Sequence, residues 1–173
     1  GRSSTSKSYM WLYRTSGCAK QAVVLYEYQP TRKAENAETF LRGFNGWLHA
    51  DGYQGYHKLP SSIRVVGCWA HARRKFEEAL QTLPKEMQKD SPAAIGECYC
   101  SRLFKLEQTF AGLTPEERYE KRLEQEKPVL DALLSWVNEM QVKTAPKSAL
   151  GRAIHYLLEQ WPYLTRYLED GRL

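Results

Sequence analysis

Ile63-Arg64-Val65-Val66-Gly67-Cys68-Trp69-Ala70-His71-Ala72-Arg73-Arg74-Lys75-Phe76 is the stretch in which the chain changes its mode of folding. Ile63 to Trp69 is nearly continuous in apolar side chains, the pattern of a strand covered on both faces. From Ala70 the period changes. Ala72, Phe76, Ala79, Leu80 and Leu83 recur at helical spacing and stop before Pro84. Strand-like segments lie before this junction and helical ones after it, which predicts an α+β protein.

Upstream, Tyr9 to Thr15 and Ala22 to Tyr28 are rich in aromatic and β-branched residues, with Ser16-Gly17 between them. They read as an antiparallel hairpin, ended by Pro30, which has no N–H to give a ladder. Ala37, Phe40, Leu41 and Phe44 then make one face of a short helix over Ala34 to Phe44, with Gly43 and Gly46 at its end. Trp47 to Ala50 is a short strand that delivers Asp51 into an Asp-Gly-Tyr bend.

Downstream, Ser91-Pro92 starts a helix, with serine as cap and proline in the first turn. Thr114-Pro115-Glu116-Glu117 starts another, in which Thr114 and Glu117 form a capping box. Leu123, Leu130 and Val137 are spaced seven apart, as in helices packed side by side. Pro128 is expected to kink or interrupt that helix. The last helix runs from about Pro146 and is expected to break at Pro162, with a final turn ending at Gly171. No internal repeat or low-complexity block appears.

The 173 residues suit one domain, or a core with a large insertion. Charged residues make up 26% and the side chains include 5 Trp and 11 Tyr, enough to build a soluble core. No apolar run is long enough to span a bilayer, and no secretion signal is visible, so the expectation is a cytoplasmic protein without a membrane partner. Gly1 to Ser8 reads as a linker or loop, as at a cut inside a longer chain. Cys18, Cys68, Cys98 and Cys100 match neither a zinc pattern nor a disulfide framework, and are expected as reduced thiols. With Cys68 on a strand and His71 at a helix start, the two need not share a face. The net charge of +5 permits a polyanionic partner. No Gly-x-Ser-x-Gly elbow, Walker loop or dinucleotide fingerprint is present, which argues against those hydrolase and nucleotide-binding classes.

Asp51 is the leading candidate for chemistry. A carboxylate at a strand end is rigidly aimed, and hard divalent cations take oxygen ligands. The competing reading is that Asp-Gly is simply a favoured turn pair. Arg73, Arg74 and Lys75 fan around the first turns of a helix. With Lys58 and Arg64 they are candidates to grip phosphates, or else a solvated face. Tyr53 and Tyr56 flank Gly55 and either stack on bases or pack the loop. His49 and His71 are acid–base candidates with no evident partner.

On these residues the chain resembles a known family. His49-Ala50-Asp51-Gly52-Tyr53-Gln54-Gly55-Tyr56 and Val66-Gly67-Cys68-Trp69-Ala70-His71-Ala72-Arg73-Arg74-Lys75-Phe76 closely resemble transposases of the insertion sequence 66 family. Tyr9-Met10-Trp11-Leu12-Tyr13, Ala153-Ile154-His155-Tyr156-Leu157-Leu158, Trp161 and Leu168-Glu169-Asp170-Gly171-Arg172-Leu173 add to the match.

The resemblance implies a ribonuclease H-like mixed sheet with a large helical insertion. It also implies an Asp-Asp-Glu triad that holds two Mg2+ or Mn2+ ions for DNA strand cleavage and joining. Asp51 corresponds to the second aspartate, catalytic and metal-binding. The first belongs to a strand before Tyr9 and the glutamate to a helix beyond Leu173. This chain is therefore expected to be an internal piece of the catalytic domain, inactive alone although the parent is an enzyme. Residues 1–72 would be a partial core, 73–146 the insertion, and 147–173 helices leading back. Transposon ends and target DNA would be the partners, with a homo-oligomer also open. The alternative is a non-catalytic basic module that binds nucleic acid or self-associates.

Overall fold

The computed structural model describes residues 7–17 and 19–173. Most of the expected linker at Gly1–Ser8, and Cys18, lie outside them. The described chain is α+β. It divides into two compact units, one holding the residues up to Leu48 with Tyr53–Val65 and Arg172–Leu173, the other His49–Gly52 with Val66–Gly171. These boundaries differ from the expected 1–72, 73–146 and 147–173. The expected insertion shares one unit with the helix that follows it, because that helix packs on the first and the last long helix of the insertion.

In the first unit, β1 (Tyr9–Arg14) pairs antiparallel with β2 (Val24–Gln29), with Trp11 opposite Glu27 and Leu12 opposite Tyr26. Alternation sends Trp11 inward, where it is 7% exposed. Its ring meets Tyr53 and Tyr56 edge-on, with centroids 6.3 and 6.1 Å away. Tyr13 stacks on Phe40 of α1 (Ala34–Phe40) at 3.7 Å. The opposite face exposes Met10, Leu12, Tyr26 and Tyr28. α1 stops short of the expected Phe44, and the turn beyond it uses Gly43 at φ 83°.

β3 (Gly46–Ala50) pairs with β4 (Ile63–Gly67), and a 3-10 turn at Gln54–Lys58 lies between them. Val65 and Val66 are buried, as their apolar run predicts. The expected single mixed sheet is not formed within the described residues. The four strands make two separate two-stranded sheets, with no ladder between β1–β2 and β3–β4.

The second unit is helical. α2 (Trp69–Gln81) begins one residue before the expected Ala70 and is followed by the short α3 (Lys85–Gln88). Ser91 caps α4 (Pro92–Thr109) through the Ala94 amide at 3.2 Å. α5 (Pro115–Lys121) starts in the expected capping box, with Thr114 and Glu117 bonded reciprocally. A π turn, Arg122–Glu126, then leads into α6 (Lys127–Lys143). Finally α7 (Ala149–Leu164), capped by Ser148, runs into a 3-10 turn at Thr165–Glu169. α2 packs on α4 and α7, and α6 on both of those. Phe76, Leu133, Val137, Ile154, Leu157 and Leu164 fill the centre.

One of the two proline expectations needs correcting. Pro128 marks the expected interruption of the helical run and sits in the first turn of α6, where a missing N–H costs little. The π turn before it has already broken the register. Pro162 does not break α7, which continues to Leu164. Leu164 is fully buried and its carbonyl accepts from Trp69 Nε1 at 3.0 Å, so tertiary packing holds the last turn in place. The seven-residue repeat also fails at its first member. A π turn adds one residue to the helical register, about 100° of phase. Leu123 is accordingly 39% exposed, whereas Leu130 and Val137 are buried. Arg122 and Glu126 take the inward positions instead.

Candidate active-site carboxylate and its surroundings

Asp51 follows the last residue of β3, half-buried. The glycine after it has no positive φ; Gly43, Gly46 and Gly112 are the glycines that do. The bend therefore does not need glycine for its backbone angles. It needs glycine for space: a Cβ on Gly52 would lie 2.8 Å from the Tyr156 ring and hydroxyl and 3.1 Å from Gln160. Both side chains come from α7. The simple turn-pair reading of Asp-Gly explains less than this close approach does.

Tyr156 links two acids. Its phenol is pushed above the usual range, first by burial and then by the negative charges of Asp51 and Cys68. Cys68 sits at the N-cap of α2, half-buried. The His49 and His71 side chains both favour the charged form of its thiol, His49 the more strongly. The sulfur makes no capping hydrogen bond, but the Ala70 and His71 amides lie close enough to favour a charge on it. The outcome is a thiol lowered to about 6, with His49 as the largest cause, against the opposing effect of burial. Cys68 and His71 therefore do share a face, because the chain turns into helix at Trp69, one residue earlier than its periodicity indicates. The Nδ1 of His71 is buried without a hydrogen-bond partner among the described residues.

The basic residues are less united than the sequence indicates. Arg73 pairs with Glu77 and Lys75 with Glu78 along α2, each at 3.0 Å. Arg74 is exposed. Lys58 and Arg64 are exposed in the first unit, Arg64 lying over the Trp47 ring at 4.0 Å. Tyr53 is engaged rather than presented: its hydroxyl donates to the Arg32 carbonyl, and the Arg32 guanidinium covers its ring at 4.4 Å. Tyr56 packs on Trp11 and Tyr53. Loop packing is thus the role the structure gives both tyrosines.

Among the described residues no three His, Cys, Asp or Glu side chains are grouped to hold a metal ion. One carboxylate does not make a two-metal site, so the donors of this chain do not by themselves fit the Mg2+ or Mn2+ pair that the resemblance implies. No helix of the described residues is long and apolar enough to cross a membrane.

The features assembled so far define an α+β protein with one acid fixed at a strand end, ahead of a basic helix. The chain belongs to the transposase IS66 family, which it matches over residues 1–173. Uncharacterized protein y4qI of Sinorhizobium fredii is 32% identical over 187 residues, covering 100% of this chain and 34% of that protein. Uncharacterized protein y4jD of the same organism is 30% identical over 186 residues, covering 100% and 35%. The chain thus spans about a third of the length of these curated relatives. No solved structure matches it significantly.

Proposed function

We propose that this chain is the central part of a ribonuclease H-like catalytic domain in a DNA transposase, and that Asp51 is one of the carboxylates holding the divalent ions for cleavage and joining at DNA phosphorus. The observation that carries this reading is the position of Asp51, at a strand end and braced through Gly52 by Tyr156, inside a match to the transposase family. Two-metal catalysis needs more carboxylates than Asp51, and a misplaced group costs orders of magnitude in rate. This chain alone is therefore expected to be inactive. The test is a supercoiled-plasmid nicking assay with Mg2+ or Mn2+. The full-length protein nicks and its Asp51→Asn variant does not, while the isolated chain does nothing. Full activity in the full-length Asp51→Asn variant overturns the assignment.

The alternative, a non-catalytic module, draws on two features. Exposed Lys58 and Arg64 in the first unit, and separately Arg74 in the second, suit phosphate contacts, whose affinity falls steeply with salt. The outward face of the hairpin, with Met10, Leu12, Tyr26 and Tyr28, suits self-association. Light scattering and a salt titration of DNA binding separate these readings.

A further inference from the structure

We propose that Tyr156 is a positioning residue for the Asp51 carboxylate, acting with Gln160 as a ridge of α7 that seats the bend through Gly52. This role rests on the reading of Asp51 as a catalytic acid and adds what aims that acid. Tyr156, Gln160 and Leu164 stand four residues apart, so they form one row along α7. That row meets the chain where β3 and β4 end. A Cβ on Gly52, two residues past β3, would lie 2.8 Å from Tyr156 Cε2 and Oη and 3.1 Å from Gln160 Cδ. A Cβ on Gly67, the last residue of β4, would lie 3.0 Å from the Leu164 amide nitrogen and 3.1 Å from its Cδ2. Glycine stands at both places where the row touches, and at neither is its φ positive. Room for α7 is the common reason.

The row is itself held in place. Leu164 is fully buried, and its carbonyl accepts from Trp69 Nε1 at 3.0 Å. Trp69 and Trp161 meet edge-on, with centroids 6.1 Å apart. Ala153, Ile154 and Leu157 sink the adjoining side of α7 into the core. Gln160 is 6% exposed, although glutamine is usually left in water. Tyr156 is half-buried, with its ring turned to the bend. Asp51 lies between the last residue of β3 and Gly52, so the strand ladder fixes its backbone on one side and the ridge on the other. A short aspartate side chain is aimed largely by that backbone. Removing the ring opens the seat and frees the bend. A misplacement of about 1 Å costs about a hundredfold in rate. Tyr156 and Gln160 thus act through Asp51 and not on the substrate.

The experiment has two arms. In the 173-residue chain, NMR relaxation reads the order parameters of the Asp51 and Gly52 backbone amides. The parent should give values of about 0.85, and Tyr156→Ala values below about 0.6. Tyr156→Phe keeps the ring edge and should stay with the parent. Tyr156→Leu fills the core without reaching Gly52 and should resemble the alanine variant; it decides alone if that variant unfolds. Val137→Ala truncates a fully buried side chain elsewhere in the same core and should leave both amides rigid. In the full-length protein, plasmid nicking at saturating DNA should fall about a hundredfold in Tyr156→Ala and Tyr156→Leu, with the half-saturating DNA concentration unchanged. Tyr156→Phe and Val137→Ala should nick at close to the parent rate. Rigid Asp51 and Gly52 amides in Tyr156→Leu, or parental nicking beside loosened amides, overturns the proposal. A parental nicking rate in Asp51→Asn is the distinguishable failure of the transposase reading, and it removes the role assigned to Tyr156 whatever the amides show.

Discussion

Glu126→Gln should flatten the pH dependence of folding. Glu126 is fully buried at the end of the π turn, in a cluster with Arg122, Glu107 and Tyr167. Arg122, 2% exposed, is already committed to other groups. Its Nε and one terminal nitrogen donate to both oxygens of Glu107 at 2.6 and 3.0 Å, and its other terminal nitrogen donates to the Tyr167 and Asp170 carbonyls at 3.0 and 3.1 Å. Glu126 is therefore poorly compensated. Burial raises its carboxyl from 4.5 to about 7, helped by the Glu107 charge and opposed by the Tyr167 hydroxyl and Arg122.

A folded-state value above the unfolded one means that the folded chain binds the extra proton. The associated stability is fully present below about pH 4.5 and is lost as pH rises through about 7. The shift is worth about 3 kcal/mol in all, most of which is lost between pH 5 and 8. Glutamine keeps the shape and cannot ionise. Urea unfolding followed by tryptophan fluorescence should show the parent losing about 2–3 kcal/mol more than Glu126→Gln over that interval. Groups common to both chains cancel in the difference. Equal losses in the two chains would refute the argument, because Glu126 would then titrate alike folded and unfolded.

Other substitutions test the remaining joints of the second unit. Arg122→Met leaves the Glu107 carboxylate and two carbonyls without their donor, and should cost about 3–5 kcal/mol in the same urea assay. Ser91→Ala removes the cap on α4 and should cost about 1 kcal/mol, seen as a lower thermal midpoint. Gly52→Ala drives a methyl group into Tyr156 and Gln160 and should cost about 1–3 kcal/mol. Adding Tyr156→Ala removes the clash, so the double variant should lose less than the sum of the singles.

Much of the fold was legible because its signals are local. The hairpin is written in β-rich runs, the caps of α4 and α5 in Ser91 and Thr114, and the strand-to-helix switch in the change of period around Gly67. Illegible features depend on phase or on distant packing. Nothing in Lys121-Arg122-Leu123-Glu124-Gln125-Glu126 announces a π turn, since the same residues satisfy an ordinary helix. A single extra residue then exchanges Leu123 for Arg122 on the inward face. Likewise Pro162 reads as a stop until Leu164 is seen locked against Trp69.

The surroundings of Asp51 show the same division. The strand, the acid and the glycine stand adjacent in sequence, so their position could be read. Their meaning could not, because the residues that decide it are His71 and Tyr156, far along the chain. Had Gly52 been required by its backbone angles, the acid would be one more turn residue, and any partner on α7 would be incidental. Its ordinary φ removes that explanation and leaves the close approach of Tyr156 as the physical reason for glycine there. Burial first, and then the negative charges of Asp51 and Cys68, raise the phenol of that same residue. The strand end, the helix start and α7 are therefore coupled electrostatically. A substitution at any of the three should be felt at the other two, whereas the ion-paired face of Arg73 and Lys75 on α2 should tolerate change.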